Sequence, residues 1–238
     1  MARKPRNILA GYPFHVIVRG NNRQAIFHDD DDRTTFKRIL REACTAHGLS
    51  VHAYVLMTNH VHLVATPARP DALSRVMQAV GRQYVRRFNH RHDRTGTLWE
   101  GRFRASLIQG DRHLLACQRY VEMNPVRAGM VARPEQFPWS SHRHHLGLAS
   151  DPLVSPHSVY WALGNTPFER ELAYRGVFES LPSVPDPELT AALLMGHPVA
   201  DREFIQALEA RTGIAIAPKP EGRPRKTAAD ETAENRRN

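Results

Sequence analysis

Cysteine is scarce in this chain: only Cys44 and Cys117 occur, far apart and in no CxxC spacing. That argues against a disulfide framework and a cysteine zinc site, and it predicts two buried thiols. Long apolar runs are missing too. None approaches the roughly 20 residues that a helix needs to cross a bilayer, and the basic stretch Met1 to Asn7 leads into no signal-type apolar segment. The expectation is a cytoplasmic protein with no membrane partner. Internal repeats are absent, as is the aromatic signature of an RRM module. Acidic residues fall short of basic ones, 24 against 33, leaving a net charge of +9 and a pI near 10.1. Such a surface favours a polyanionic partner, because each Lys or Arg placed on a phosphate releases counterions. Charge alone does not name the polyanion, and basic surfaces also serve solubility.

What is present suits a globular chain: 41% apolar and 24% charged residues over 238 positions, enough for one main domain and an appendage. Phe14 to Arg19 reads as a β-branched strand ended by Gly20-Asn21-Asn22. The acidic run Asp29 to Asp32 then opens a helix with Phe36, Ile39, Leu40 and Ala43 at helical spacing and Gly48 as its stop. Ser50 to Met57 and His60 to Thr66 read as a hairpin across Thr58-Asn59. Leu73, Val76, Met77, Val80, Tyr84 and Phe88 mark one face of a second helix. Arg75, Arg82 and Arg86 lie on its opposite face, either as a stripe for a phosphate backbone or as a solvated surface. A strand follows at Phe103 to Gln109. A third helix, capped by Asp111, runs through about Tyr120 to Asn124 before Pro125.

This order is the ferredoxin-like β-α-β-β-α-β unit, an α+β antiparallel sheet, with an added helix carrying the tyrosine. Beyond Trp139, prolines break the chain into pieces, with helices predicted over Glu169–Ser180 and Arg202–Thr212. The expected organisation is a domain over residues 1–147, a mainly helical C-terminal extension over 148–218, and a disordered basic tail over 219–238.

His60-Val61-His62 places two imidazoles on one face of a strand, where they can chelate a divalent cation. They can equally be hydrogen-bonded sheet histidines. His90-Arg91-His92 ends a helix, where such a pair diverges, and His142, His144 and His145 read as a polar loop. On the third helix Tyr120 and Asn124 stack one turn apart, with His113 and Cys117 on the same flank. A phenol one turn from an oxygen ligand suits phosphoryl transfer, while a core aromatic is the plainer alternative for Tyr120. Tyr84 lies mid-stripe and is expected in the core. Trp99, Arg102, Phe103 and Arg104 combine flat and cationic side chains suited to unpaired bases and phosphates; Trp99 can equally be a buried anchor.

Four ordered segments resemble those of single-tyrosine HUH transposases, most of all the REP-associated branch: Asn59-His60-Val61-His62-Leu63, Gly96-Thr97-Leu98-Trp99-Glu100-Gly101-Arg102-Phe103, Tyr120 to Gly129, and Pro138-Trp139-Ser140-Ser141. The resemblance spans residues 8 to 147. It implies a metal-dependent nuclease and strand transferase acting on single-stranded DNA folded into hairpins such as REP-like palindromes. Carried over by position, His60 and His62 resemble the paired metal ligands and Tyr120 the nucleophile that leaves a 5′-phosphotyrosine and a free 3′-hydroxyl. Asn124 resembles the third protein ligand, with Glu122 as the fallback. Mg²⁺ or Mn²⁺ suits such a mixed N/O site. A monomer or a homodimer is compatible with the resemblance. In the tail, Gly222-Arg223-Pro224-Arg225-Lys226 resembles an AT-hook core, so Arg223 and Arg225 are further DNA-contact candidates beside Arg75, Arg82, Arg86, Trp99, Arg102 and Arg104. The rival expectations are a hairpin-binding protein that does not cut, and an RNA-binding module.

Overall fold

The computed structural model describes residues 7–180 and 187–217. Strands β1 (Phe14–Arg19), β2 (Leu49–Met57), β3 (His60–Pro67) and β4 (Arg104–Leu107) form one four-stranded sheet in the order β2-β3-β1-β4. All neighbouring pairs are antiparallel. With α1 (Asp30–His47) and α2 (Ala72–Arg91) between the strands, the topology is ferredoxin-like, and α3 (Gly110–Glu122) is the added helix.

The aspartate run does capping work: the Asp29 side chain accepts from the Asp32 N–H, and Asp30 to Asp32 fill the first turn of α1. At the other end Gly48 takes a left-handed φ of 73° and its N–H donates to the Cys44 carbonyl.

Period-two alternation sorts the strands between two cores. Val16, Val18, Val61 and Leu63 face α1 and α2, while Val55 and Val64 face α3. The sheet is therefore covered on both faces, and the histidine face of β3 lies under a helix. A register shift between Val51 and Ala53 makes His52 the extra residue of β2, hydrogen-bonded to Thr66 and to the Ser155 carbonyl. Both cysteines are buried as expected, and burial pushes the Cys44 thiol up to about 12.

Two details of α3 differ from expectation. Gln109, not Asp111, holds the N-cap position, and Asp111 sits in the first turn. The helix also ends at Glu122, after which a separate turn, α4 (Asn124–Arg127), begins. Pro125 accounts for the break, since it lacks an N–H for the carbonyl one turn back. Side chains satisfy the freed carbonyls instead: Asn124 Nδ2 donates to Tyr120 O and Val121 O, and Arg127 donates to Tyr120 O.

The C-terminal part is helical: α5 (His142–His145), α6 (Ser158–Trp161), α7 (Pro167–Ser180), α8 (Pro187–Met195) and α9 (Arg202–Thr212). Leu153, Val154 and Leu208 enter the first core, and Leu193 and Val199 the second.

The expectation of a polar loop at His142 to His145 is overturned. His142 and His145 are buried and grip Glu122, their Nδ1 atoms 2.8 Å from its two carboxylate oxygens. Ser141 and Tyr174 donate hydroxyl bonds to the same carboxylate. Burial opposes ionisation of Glu122, but the charge and hydrogen bonds of His145 and His142 outweigh it and hold the carboxyl far below its usual range. A fully desolvated carboxylate with this many donors ties α5 and α7 to α3. Removing it leaves its partners orphaned in the core. Glu122→Ala is therefore expected to cost about 3–5 kcal/mol of unfolding free energy, measured by urea denaturation of the full chain.

Candidate active site

Three elements converge on the α3 face of the sheet. Antiparallel pairing sets His62 opposite Ile17 and His60 opposite Arg19 on β1, and β2 places Val55 and Met57 on their other side. The two imidazole rings of β3 stand 4.9 Å apart, centroid to centroid, at an interplanar angle of 80°. From above, α3 lowers Tyr120, whose ring meets that of His62 edge to face at 5.9 Å and that of His15 at 6.0 Å. The strand pair and the phenol come together although α3 lies far along the chain.

The electrostatics favour neutral rings. Burial lowers His60 to about 4, with Arg19 adding a smaller push in the same direction. His62 lies well below its ordinary value, again chiefly through burial. Neutral imidazoles keep the lone pairs that metal coordination needs. Burial raises Tyr120, and the guanidinium groups of Arg127 and Arg19 oppose that rise. Arg127 lies over the phenol ring, 4.3 Å from its centroid.

The remaining expected residues divide by position. Asn124 is one turn beyond Tyr120, but its amide nitrogen is turned back onto the Tyr120 and Val121 carbonyls. Glu122 is excluded as the fallback ligand, because both of its oxygens are taken by the buried network around α5. Arg102 and Arg104 line a groove beside β1 together with Ile17, Arg19, Glu100 and Leu194. Two of these lining residues, Ile17 and Arg19, sit opposite His62 and His60 on the neighbouring strand. Arg104 donates to the Leu194 carbonyl at 2.6 Å.

Trp99 packs against Phe36 and Tyr84 on the α1–α2 side, and it is partly buried, lining a pocket with Arg102 and Phe103. Tyr84 is a core residue whose hydroxyl bonds the Ile26 carbonyl. Arg82 and Arg86 are exposed on α2, and Arg75 pairs with Asp71. Because α2 covers the opposite face of the sheet, this stripe does not line the histidine site. Arg223 and Arg225 lie outside the described residues.

Among the described residues, one group of three His, Cys, Asp or Glu side chains has metal-like spacing: His28, Asp32 and His92. Asp32 already receives the His28 N–H, the Arg91 guanidinium at 2.7 Å and His92 at 3.0 Å. That saturated carboxylate is a clasp between α1 and α2, and the arginine against it repels a cation.

Sequence reasoning missed His15, Arg19 and Arg127. The first two were within reach, because in Phe14 to Arg19 positions 15, 17 and 19 share a face. Arg127 stands two turns after Tyr120 and carried no separate signal.

Residues 9–124 match the profile of the family described as Transposase IS200 like. No curated protein matches the sequence. Among solved structures, a REP-associated tyrosine transposase bound to a REP hairpin is 19% identical over 67% of this chain and 93% of its own, with a TM-score of 0.52. A candidate transposase from Deinococcus radiodurans R1 is 26% identical over 51% of this chain and 96% of its own, with a TM-score of 0.36. At 19% identity the first match speaks for the fold, and the family profile over residues 9–124 spans all three elements that meet at the site. Over that segment, with its ferredoxin-like sheet and added helix, the chain is similar to the IS200-like transposase family.

Proposed function

We propose that this protein cleaves and rejoins single-stranded DNA folded into hairpins, with Tyr120 as nucleophile and His60, His62 and Asn124 holding a divalent cation, Mg²⁺ or Mn²⁺. The observation that carries this is the edge-to-face meeting of Tyr120 and His62 at 5.9 Å. It brings a phenol and a pair of neutral nitrogen donors, drawn from separate elements, to one place. The Tyr120 ring is buried, 5% exposed and packed in the second core, and its neighbours there include two imidazoles and a guanidinium. The donor set fits a small divalent ion: two imidazoles on one face, and one amide a single turn from the nucleophile. When bound, the cation polarises the scissile phosphate and offsets charge on its oxygens.

The chain's own groups do the rest. The Tyr120 oxygen attacks phosphorus and forms a phosphodiester link, the bond from phosphorus to the 3′-oxygen breaks, and the phenol proton passes to solvent. The products are a 5′-phosphotyrosine and a free 3′-hydroxyl, and attack by a 3′-hydroxyl on the same link reverses the step. Arg127 above the ring stabilises the phenol as it loses its proton. Arg19, Arg102 and Arg104 line the route by which a strand reaches the histidines, where guanidinium groups hold phosphates. The REP hairpin bound by the fold relative supports the same class of partner. The domain over residues 1–147 carries this chemistry, and the extension over 148–218 supports it.

Incubation with labelled hairpin-bearing single-stranded DNA and Mn²⁺ is expected to give a denaturant-resistant protein–DNA adduct. Tyr120→Phe should abolish the adduct while leaving hairpin binding intact. A chain that binds hairpins without cutting would instead form no adduct in either version. In the His60→Ala, His62→Ala double variant, adduct should fall to background at every Mn²⁺ concentration in a titration. Arg102→Ala should weaken hairpin binding about equally across sequences and lower the slope of log K against log salt by about 1, read from a filter-binding salt series.

A further inference from the structure

We propose that His15 is a positioning residue of the candidate metal centre: its Nε2 accepts a hydrogen bond from His62 Nδ1–H, so that His62 presents Nε2 as a bare lone pair. This rests on the function proposed above and concerns which ring nitrogen is available before any cation arrives.

His15 Nε2 and His62 Nδ1 are 2.7 Å apart. The rings are 0% and 1% exposed, so an imidazolium at either position would be a charge removed from water. Each ring therefore carries one proton, and one proton lies in the bond between them, which leaves two arrangements. In the first, His62 donates from Nδ1, its Nε2 is free, and His15 holds its own proton on Nδ1. In the second, His15 donates from Nε2, the His62 proton sits on Nε2, and that nitrogen cannot ligate.

The contact itself decides between them. His62 Nδ1 is engaged by His15, so Nε2 is the nitrogen His62 has left for a cation, and it ligates only in the first arrangement. His15 Nδ1 is buried without a hydrogen-bond partner. A second ring that fixes the tautomer of a ligating histidine is a general device of metal sites.

Two measurements on the full chain test this. Heteronuclear NMR of the metal-free, DNA-free protein with ¹⁵N-labelled imidazoles should show His62 Nε2 at a pyridine-type shift and Nδ1 at a pyrrole-type shift. The reverse assignment overturns the proposal. Calorimetry with Mn²⁺ should show His15→Phe binding about 10–100-fold more weakly than wild type. His15→Gln, whose side-chain carbonyl still accepts a hydrogen bond, should recover most of that loss. Equal affinity in His15→Phe and wild type also overturns it. A wild-type chain that binds no Mn²⁺ sinks the proposed metal function instead, and the tautomer assignment by NMR, which needs no metal, is judged separately.

Discussion

The antiparallel pairing of β1 with β3 is the constraint on which the rest depends. Because side chains alternate along a strand, one register puts His15, Ile17 and Arg19 on the same face as His60 and His62. A slip of one residue would turn the imidazoles toward α1 and α2 and bring Val61 and Leu63 under α3. The register is held from both sides, since Val16, Val18, Val61 and Leu63 fill one core while Val55 and Val64 fill the other. The site's geometry is thus a by-product of packing. The hydrophobic cores choose the pairing, and the pairing assembles the polar face.

Burial then gives that face its chemical character. A histidine on an open strand would titrate near neutrality, but beneath α3 the rings stay uncharged well into the acid range, with His60 lowered to about 4. The same burial raises the Tyr120 phenol, and two guanidinium groups work against it. The site therefore pairs neutral imidazoles with a phenol whose ionisation depends on nearby positive charge. Glu122 shows the opposite solution on the same helix. Facing away from the histidine pair, it is an ionised carboxylate enclosed by donors, and its role is to join helices.

Much of this was legible in the residues. Strict alternation identified the shared face of His60 and His62, helical spacing placed Tyr120 a turn from Asn124, and the strand and helix order led directly to the ferredoxin-like topology. What escaped notice depends on contacts between distant segments. His142 and His145 look like loop residues until Glu122 is seen to lie beneath them. His15 acquires its meaning only once β1 is known to pair with β3. The break after Glu122 was legible in principle, because Pro125 forbids the helix from continuing unchanged. Helix α8 was missed for another reason: Pro187–Met195 is apolar on nearly every side, so it shows no stripe for a periodic search to find.

The rims of the sheet carry a consequence for self-assembly. On the β2 side, the Leu56 N–H donates to the Trp139 carbonyl and the Ser155 N–H to the Val51 carbonyl. On the β4 side, the Val199 N–H donates to Leu107 and the Gln109 N–H donates back to Val199. Short stretches of the chain's own backbone thus occupy hydrogen-bonding positions on both outer strands, the places where a second molecule would otherwise add its strands. A second copy that added its strands edge to edge would first have to displace these stretches.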